Sequence, residues 1–281
     1  MIVPAQKDEV LLESILSAPV EEDAFHAWWL GQSGFLLQWN GQHVLFDPYL
    51  SDSLTRKYAD TDKPHVRMTE RVIDPRRLDR VTLATSSHNH TDHLDAETLC
   101  GLNEASGGAL RLVLPKANVA FAADRLQENP PAFLGLDAGE SLEVGPFRFH
   151  GITAAHNSVE RDEAGHCRFM GFVVTFGSFA VYHSGDTLRH DGLVEQLGQF
   201  EIDLALLPIN GNKPERRVAG NLDGEEAAQL ARDIGAGLVV PCHYHMFTFN
   251  TEEPDEFVAA CERLGQDHRV MQGGEGIRVA R

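Results

Sequence analysis

Two stretches of the chain, one in each half, repeat the same strand–turn–strand pattern, and this repeat limits the folds open to the sequence. The first, residues 28–50, is divided by Asn40-Gly41, and the second, residues 168–187, is divided by Gly177-Ser178. Asn-Gly accepts positive φ at both turn positions and therefore predicts a tight β-hairpin. We expect two related halves whose sheets stack against each other. A ligand site would then lie between them, at the loops that leave the strands.

The rest of the chain alternates strand-like and helix-like segments, which is typical of an α/β layered domain. Further strands are predicted at 81–84, 112–114, 147–152, 204–209, 238–240 and 277–279, and helices at 117–126, 225–234 and 254–264. A length of 281 residues allows one or two domains, and we expect a single domain, 1–281. Within it, residues 1–25 are expected to form a helical N-terminal extension, and the charged segment 51–79 a loop or cap near the site.

Composition restricts the partners of the protein. Twenty-four Lys and Arg against 42 Asp and Glu leave a net charge of −18, which repels nucleic acids and anionic membranes. A small-molecule substrate is therefore favoured and nucleic acid disfavoured. The four cysteines form no CxxC pair, there is no secretory signal, and no apolar run reaches the roughly 18 residues of a membrane span. These features together predict a cytoplasmic protein without membrane attachment.

The segment that carries the chemistry directly follows the strand predicted at 81–84. Its metal-binding side chains are His88, His90, Asp92 and His93. Imidazole and carboxylate groups suit zinc, manganese or iron, and the absence of nearby thiolates argues against a closed structural zinc site. Because a short loop projects its side chains in two directions, we expect two ions that share one site. His88 and His90 would bind one ion, and Asp92 and His93 the other.

Other segments must complete the two coordination shells. Asp186 ends a predicted strand, and an aspartate there can bridge two ions with its two oxygens. His156 and His243 also end strand-like runs and are the remaining candidates.

The motif His88-Asn89-His90-Thr91-Asp92-His93, with His156, Asp186 and His243 after it, resembles the HxHxDH pattern of the metallo-β-lactamase superfamily. Residues 29–35, 47–50 and 182–186 are similar to the branch that contains L-ascorbate-6-phosphate lactonase and related metal-dependent hydrolases. The resemblance extends from about Trp28 to the C-terminus. It implies a four-layer αβ/βα sandwich with a metal site at one edge.

The resemblance also implies roles for the ligands. His88, His90 and His156 would hold the first ion, Asp92, His93 and His243 the second, and Asp186 would bridge them. The lactonase suggests manganese and the wider superfamily suggests zinc, while iron also suits these ligands; homo-oligomers are a further expectation. The lactonase departs from the superfamily pattern at the segment corresponding to His156, whereas this chain keeps a histidine. That difference favours a full dinuclear site and disfavours the lactonase's own substrate.

Several residues are candidates for supporting roles. Asp47 either orients a ligand histidine or only forms a turn, and His183 either supports the site or is an ordinary strand histidine. His245 either contacts substrate or replaces His243 as a ligand. Asn210 and Asn212 belong to a polar loop that includes Lys213, Arg216 and Arg217; this loop either faces an anionic substrate or is a basic solvated loop. The remaining histidines, His65 among them, have no motif context and receive no role.

The predicted function is a metal-dependent hydrolase in which a metal-bound hydroxide attacks a small, anionic ester or lactone, such as a sugar-phosphate lactone. Asp92 is the predicted catalytic residue, since it can receive the proton and pass it to the leaving group. One alternative is a phosphodiesterase of the same fold, and another is a non-catalytic metal-binding or regulatory protein. A di-iron redox protein of the superfamily is disfavoured, because it would be expected to carry a carboxylate at the position of His90.

Overall fold

The computed structural model describes the whole chain, residues 1–281. It contains thirteen strands: β1 (Ala24–Gly31), β2 (Gly34–Trp39), β3 (Gln42–Phe46), β4 (Leu83–Thr85), β5 (Arg111–Pro115), β6 (Ala132–Leu136), β7 (Ser141–Val144), β8 (Phe147–Thr153), β9 (Met170–Phe176), β10 (Phe179–His183), β11 (Leu204–Pro208), β12 (Leu238–Cys242) and β13 (Gly276–Ala280). Seven α-helices accompany them: α1 (Asp8–Leu16), α2 (Ser53–Lys57), α3 (Ala96–Ala105), α4 (Val119–Arg125), α5 (Leu193–Leu197), α6 (Gly224–Asp233) and α7 (Asp255–Leu264).

The strands form two mixed sheets. The first has seven strands in the order β13-β1-β2-β3-β4-β5-β6, and the second has six in the order β12-β11-β10-β9-β8-β7. Strands β3 to β6 run parallel to one another, as do β10, β11 and β12. The remaining neighbours are antiparallel.

Strand β1 shows how the sandwich is built. Successive side chains of a strand point to opposite faces, so Phe25 and Trp29 enter the large core between the sheets. Trp28 and Leu30 instead pack outward in a second core that includes Leu11 of α1. Helices α3 and α4 also contribute to this outer core, while α6 and α7 pack on the other sheet. The predicted four-layer αβ/βα sandwich is confirmed.

The repeated hairpins occupy equivalent places in the two sheets. Strands β2 and β3 form the hairpin of the first sheet, and β9 and β10 form that of the second. Trp39 and Phe176, which the sequence repeat aligns, pack together with ring centroids 5.4 Å apart. The two halves therefore meet through corresponding residues in the core.

The structure differs from the sequence-based elements in two respects. The pattern predicts one strand of a hairpin over residues 28–39, but Gly31 and Gln32 have positive φ of 100° and 51° and reverse the chain between β1 and β2. Helices α2, α3 and α5 and strands β6 and β7 have no counterpart among the predicted elements. Helix α3 starts directly after the histidine motif, where the Asp95 carboxylate accepts a hydrogen bond from the N–H of Thr98 at 3.1 Å.

One edge of the sandwich collects the polar strand ends. Asp47 follows β3, the motif 88–93 follows β4, and Asp186 and His243 follow β10 and β12. Because these strands run in the same direction within each sheet, their carboxyl ends lie at the same edge. None of the helices is both long and apolar enough to cross a membrane.

Candidate metal centre

The predicted ligands come together in three overlapping groups, within each of which the ligand atoms lie no more than 4.8 Å apart. The groups are His88, His90 and His156; Asp92, His93 and His243; and His88, His93 and Asp186. All of them stand on loops that leave the carboxyl ends of strands.

Asp186 lies between the first two groups. Its Oδ1 is 3.3 Å from Nε2 of His93, and its Oδ2 is 3.6 Å from Nε2 of His156 and 3.4 Å from Nε2 of His243. One carboxylate therefore contacts histidines of both groups. This is the placement that a bridging ligand needs.

Three ligand atoms of the centre are buried without any hydrogen-bond partner: Nε2 of His88, Nε2 of His93 and Oδ1 of Asp186. Buried polar atoms are nearly always paired, because leaving one unpaired costs free energy. Here the unpaired atoms are imidazole nitrogens and a carboxylate oxygen, which are the donors that zinc, manganese and iron accept. The residues therefore fit divalent metal ions.

Hydrogen bonds on the far side of the rings point the Nε2 atoms inward. His93 Nδ1 lies 2.8 Å from Asp47 Oδ2, and His156 Nδ1 donates to the carbonyl oxygen of Gly220 at 2.8 Å. His88 Nδ1 lies 3.0 Å from Ser87 Oγ. Such contacts at Nδ1 set the tautomer and orientation of a metal-ligating histidine.

Asp47 is itself held firmly. It is completely buried, and its Oδ1 accepts hydrogen bonds from Thr85 Oγ1 at 2.7 Å and from the N–H of Ser87 at 3.1 Å. Burial raises the pKa of Asp47, but the charge of His183 and the contacts with His93 and Ser87 outweigh it and lower the pKa to about 2. The carboxyl group is consequently ionised at neutral pH.

Positive charge is stabilised at His93 and His243, whereas burial lowers the pKa of His88 and of His90. Burial lowers the pKa of His93, but Asp186 and Asp92 outweigh this effect and raise that pKa well above its usual value. Burial conversely raises the pKa of Asp186, while His93 and His243 lower it well below the usual range. The carboxylates of Asp186, which is buried, and of Asp92, which is half-buried, thus favour a cation at this position.

Gln32, at the sharp turn between β1 and β2, reaches the same place. Its side-chain Nε2 donates to Asp92 Oδ2 at 2.8 Å, and its backbone carbonyl oxygen accepts a hydrogen bond from the backbone N–H of His243 at 3.0 Å. This one residue connects the motif loop with the loop after β12.

The centre opens into a cavity of about 450 Å³. Five of its lining residues belong to segment 51–79, and the rest come from the metal-ligand loops, α4, and the loops after β11 and β12. The lining residues are Leu54, Lys57, Tyr58, Lys63, His65, Asn89, His90, Thr91, Asp92, Phe121, Arg125, His156, Asp186, Val218, Ala219, His243 and Asn250. Five of the seven ligand side chains, all except those of His88 and His93, are therefore accessible to a small molecule.

Comparison with known proteins agrees with this geometry. Residues 42–244 match the family model described as the β-lactamase superfamily domain. A UPF0173 metal-dependent hydrolase of Opitutus terrae is 31% identical over 269 residues, which cover 89% of this chain and 98% of the relative. The chain belongs to the metallo-β-lactamase superfamily. A second metal-dependent hydrolase of UPF0173, from Methanopyrus kandleri, is 30% identical over 250 residues, covering 86% of this chain and 94% of that protein.

Solved structures of the superfamily share the fold. A metallo hydrolase from Ignicoccus hospitalis superimposes with a TM-score of 0.65 at 21% sequence identity, and the match covers 92% of this chain and 99% of that one. With its UPF0173 relatives, the chain is placed among the metal-dependent hydrolases of the superfamily. The narrower likeness to the lactonase branch stays a prediction.

The supporting residues named from the sequence lie in different places. His183 Nε2 donates to the carbonyl oxygen of Ser33 at 2.8 Å, and its ring stacks on Phe46. His245 Nε2 lies 2.7 Å from a carboxylate oxygen of Glu253, and His245 is in none of the three ligand groups.

The polar loop after β11 does not present its charged residues to the cavity. Asn210 is buried and hydrogen-bonded to Asn250 and Asn221, while Asn212 is exposed. Lys213 and Arg216 pair with Glu252, and Arg217 pairs with Asp62. The structure therefore does not support the alternative in which the cations of this loop face an anionic substrate.

The cations that do line the cavity are Lys57, Lys63 and Arg125, and His65 lies beside them. His65 Nδ1 donates to the carbonyl oxygen of Lys63 at 2.8 Å, and burial lowers the pKa of this imidazole. Nothing in the sequence assigns a role to Lys63, Arg125 or His65. No spacing or motif marks them, because they come from segments that meet only in the folded chain.

Proposed function

We propose that this chain is a dinuclear metal-dependent hydrolase that acts on a small, anionic ester or lactone. The observation that carries the proposal is the convergence of three buried, unpaired ligand atoms, on His88, His93 and Asp186, beneath a cavity of about 450 Å³. A purely structural metal site would have no use for such an opening.

In this proposal His88, His90 and His156 would hold the first ion, Asp92, His93 and His243 would hold the second, and Asp186 would contact both. The three groups of closely spaced ligand atoms support the assignment. Zinc or manganese, and also iron, suit these nitrogen and oxygen donors. When bound, two such ions supply hydroxide near neutral pH and polarise the substrate's carbonyl oxygen.

The chain's own residues then handle the proton. Asp92 lines the cavity, and Gln32 Nε2 holds its Oδ2 at 2.8 Å. Oδ1 of Asp92 is left to take the proton of the attacking water and to deliver it to the leaving oxygen. Asp47 keeps the ring of His93 in place throughout, because its Oδ2 lies 2.8 Å from Nδ1.

We further propose that the chain is one domain, with residues 51–79 as the cap of the site and residues 1–25 as an N-terminal extension. The five cavity-lining residues of segment 51–79 support the cap. So does a small apolar cluster of Tyr49, Leu54, Met246 and Phe247, which packs this segment against the loop after β12. In the extension, Leu11 and Ile15 of α1 pack in the outer core.

A substrate panel tests the proposed function. Protein purified without chelator is assayed against lactones, simple esters and phosphodiesters, then again after chelation and after addition of zinc or manganese. We expect turnover of a lactone or ester that is lost with the metal and restored by adding it. Turnover of phosphodiesters alone would establish the phosphodiesterase instead. Metal binding without turnover of any compound would favour a non-catalytic role.

A further inference from the structure

The cavity is lined by cations that have no carboxylate partner, although acidic residues far outnumber basic ones in the chain. Lys57 and Lys63 both line it, and neither forms an ion pair. The other three lysines of the chain each pair with a glutamate: Lys7 with Glu70, Lys116 with Glu140, and Lys213 with Glu252. The two lysines left unpaired are thus the two at the cavity.

Arg125, at the end of α4, is the third unpaired cation of the cavity. Its Nη1 donates to the carbonyl oxygens of Asn89 at 2.7 Å and Leu94 at 3.2 Å, and its guanidinium lies 4.4 Å from the ring centroid of Phe121. These contacts fix the guanidinium against the metal-ligand loop. They leave Nη2 and Nε without a protein acceptor, and these two nitrogens form the fork that binds an oxyanion.

The two lysines also keep free donors. Lys57 Nζ donates to Thr91 Oγ1 at 3.1 Å, and Lys63 Nζ donates to the carbonyl oxygen of Arg217. An ammonium group has three hydrogen atoms to donate, so each lysine has two left. Thr91 is the neighbour of Asp92, which places the Lys57 ammonium beside the metal-ligand loop.

The only carboxylates that line the cavity are Asp92 and Asp186, and both belong to the ligand groups. Three cations therefore remain without a counter-charge in a protein whose net charge is −18. We propose that Lys57, Lys63 and Arg125 form a subsite for an oxyanion on the substrate, and that this group is a phosphate monoester. Three cations match its charge of about −1.5 to −2 better than they match a single carboxylate. The inference rests on the proposed function in one respect, since it takes the phosphate group bound at the subsite to be part of the substrate.

Calorimetric titration with inorganic phosphate tests the subsite directly. It is carried out on the metal-loaded protein and on chelator-treated protein, for the wild type and for Lys57→Gln, Lys63→Gln and Arg125→Gln. Phosphate should bind in both states, and each substitution should weaken binding about tenfold. Lys116→Gln is the matched control, because Lys116 pairs with Glu140 outside the cavity, and it should leave binding unchanged. Affinities unaffected by the three cavity substitutions would overturn the proposal.

A kinetic measurement on the loaded enzyme keeps the proposal testable if chelation unfolds the protein. With a lactone that carries a phosphate, the three variants should raise KM about tenfold and change kcat little. With the same lactone lacking the phosphate, KM should rise much less, and any change that remains would come from the contacts of Arg125 and Lys57 with the metal-ligand loop. Equal effects on both lactones would overturn the subsite, and tighter inhibition by acetate than by phosphate would overturn the assignment to a phosphate group.

The outcomes separate this inference from the proposed function. Phosphate binding that depends on the three cations, without hydrolysis of any ester, would leave the subsite standing and remove the hydrolase. Metal-dependent hydrolysis that the three substitutions do not affect would support the hydrolase and overturn the subsite.

Discussion

At the scale of single residues, the environment of each side chain decides whether it supports the metal centre. Asp47 and Asp137 each place a carboxylate oxygen 2.8 Å from a histidine Nδ1, of His93 and His166 respectively. Asp47 and His93 are completely buried, whereas the pair at Asp137 is partly open to solvent. Only the first pair has an Nε2 directed into the ligand groups.

Replacing Asp47 with Asn should therefore weaken metal binding. The amide cannot supply the negative charge that stabilises His93 as a ligand, and loss of such a supporting carboxylate commonly costs about 10- to 100-fold in metal affinity. Metal affinity is measured by competition with a chromogenic chelator. Asp137→Asn is the control, since it removes an equally short contact away from the cavity, and a matching loss there would contradict the role of Asp47.

The motif spacing predicts which residues gather at the centre, but it does not predict the directions of their side chains. His243 and His245 stand two residues apart after β12, and the sequence leaves both open as ligands. Both have left-handed backbone conformations, with φ of 61° and 55°, and the chain turns so that only His243 reaches Asp186. Glu253 holds the ring of His245 elsewhere. These backbone turns depend on tertiary contacts that no local pattern reveals.

At the scale of secondary-structure elements, close packing of the strand ends positions the ligands. Gly185 lies between β10 and Asp186 with φ of 59°, and a Cβ there would lie 2.5 Å from the Cβ of Ser87. The loop after β10 is thus pressed against the loop after β4. A glycine at this point lets the bridging carboxylate approach the histidine motif.

Gly185→Ala should destabilise the protein and lower its metal content. Gly145 has a similar φ of 62°, but a Cβ at that position would have no atom within 4 Å, so Gly145→Ala isolates the backbone cost. We expect about 1 kcal/mol for Gly145→Ala and a further 1–3 kcal/mol or so for Gly185→Ala from overpacking. Urea unfolding measures the loss of unfolding free energy in the two variants. Equal losses in the two variants would refute the close approach of the two loops.

Strands that form a wholly buried apolar run were predictable from the sequence, whereas several other elements were not. Strands β11 and β12 are almost wholly buried and stand out as apolar runs. Strand β6, an edge strand, is mostly exposed or half-buried, and Gly135 divides its short apolar stretch. Helix α3 escapes prediction because its first turn follows the metal motif, whose polar residues obscure the helical pattern.

At the scale of the whole molecule, the charge distribution and the stacking of two halves bring distant segments to one cavity. The hairpin repeat predicted the two halves. The positions of Lys63 and Arg125 at the cavity were not predictable, since these residues belong to the loop after α2 and to α4. Only the packed sandwich makes them neighbours.

Global stability should fall in mild acid because of a histidine remote from the centre. Burial, aided by the charge of Arg80, lowers the pKa of His43 to about 4 from an ordinary value of 6.5. The unfolded chain takes up a proton near pH 6.5 while the folded chain resists it until about pH 4, so stability is lost as the pH falls between these values. The loss amounts to about 3 kcal/mol. In His43→Gln, the free energy of unfolding should depend less on pH between these two values. Urea titrations at several pH values measure this dependence, and the same dependence in the variant and the wild type would contradict the prediction.

The most direct test of the account is the metal content per chain of protein purified without chelator, measured by mass spectrometry together with turnover of the best substrate. The account predicts about two divalent ions per chain. Asp186→Ala should lose metal and turnover together, while Asp137→Ala should keep both. A wild-type chain with at most one ion and full turnover, or an Asp186→Ala variant that retains both ions and activity, would contradict the dinuclear centre.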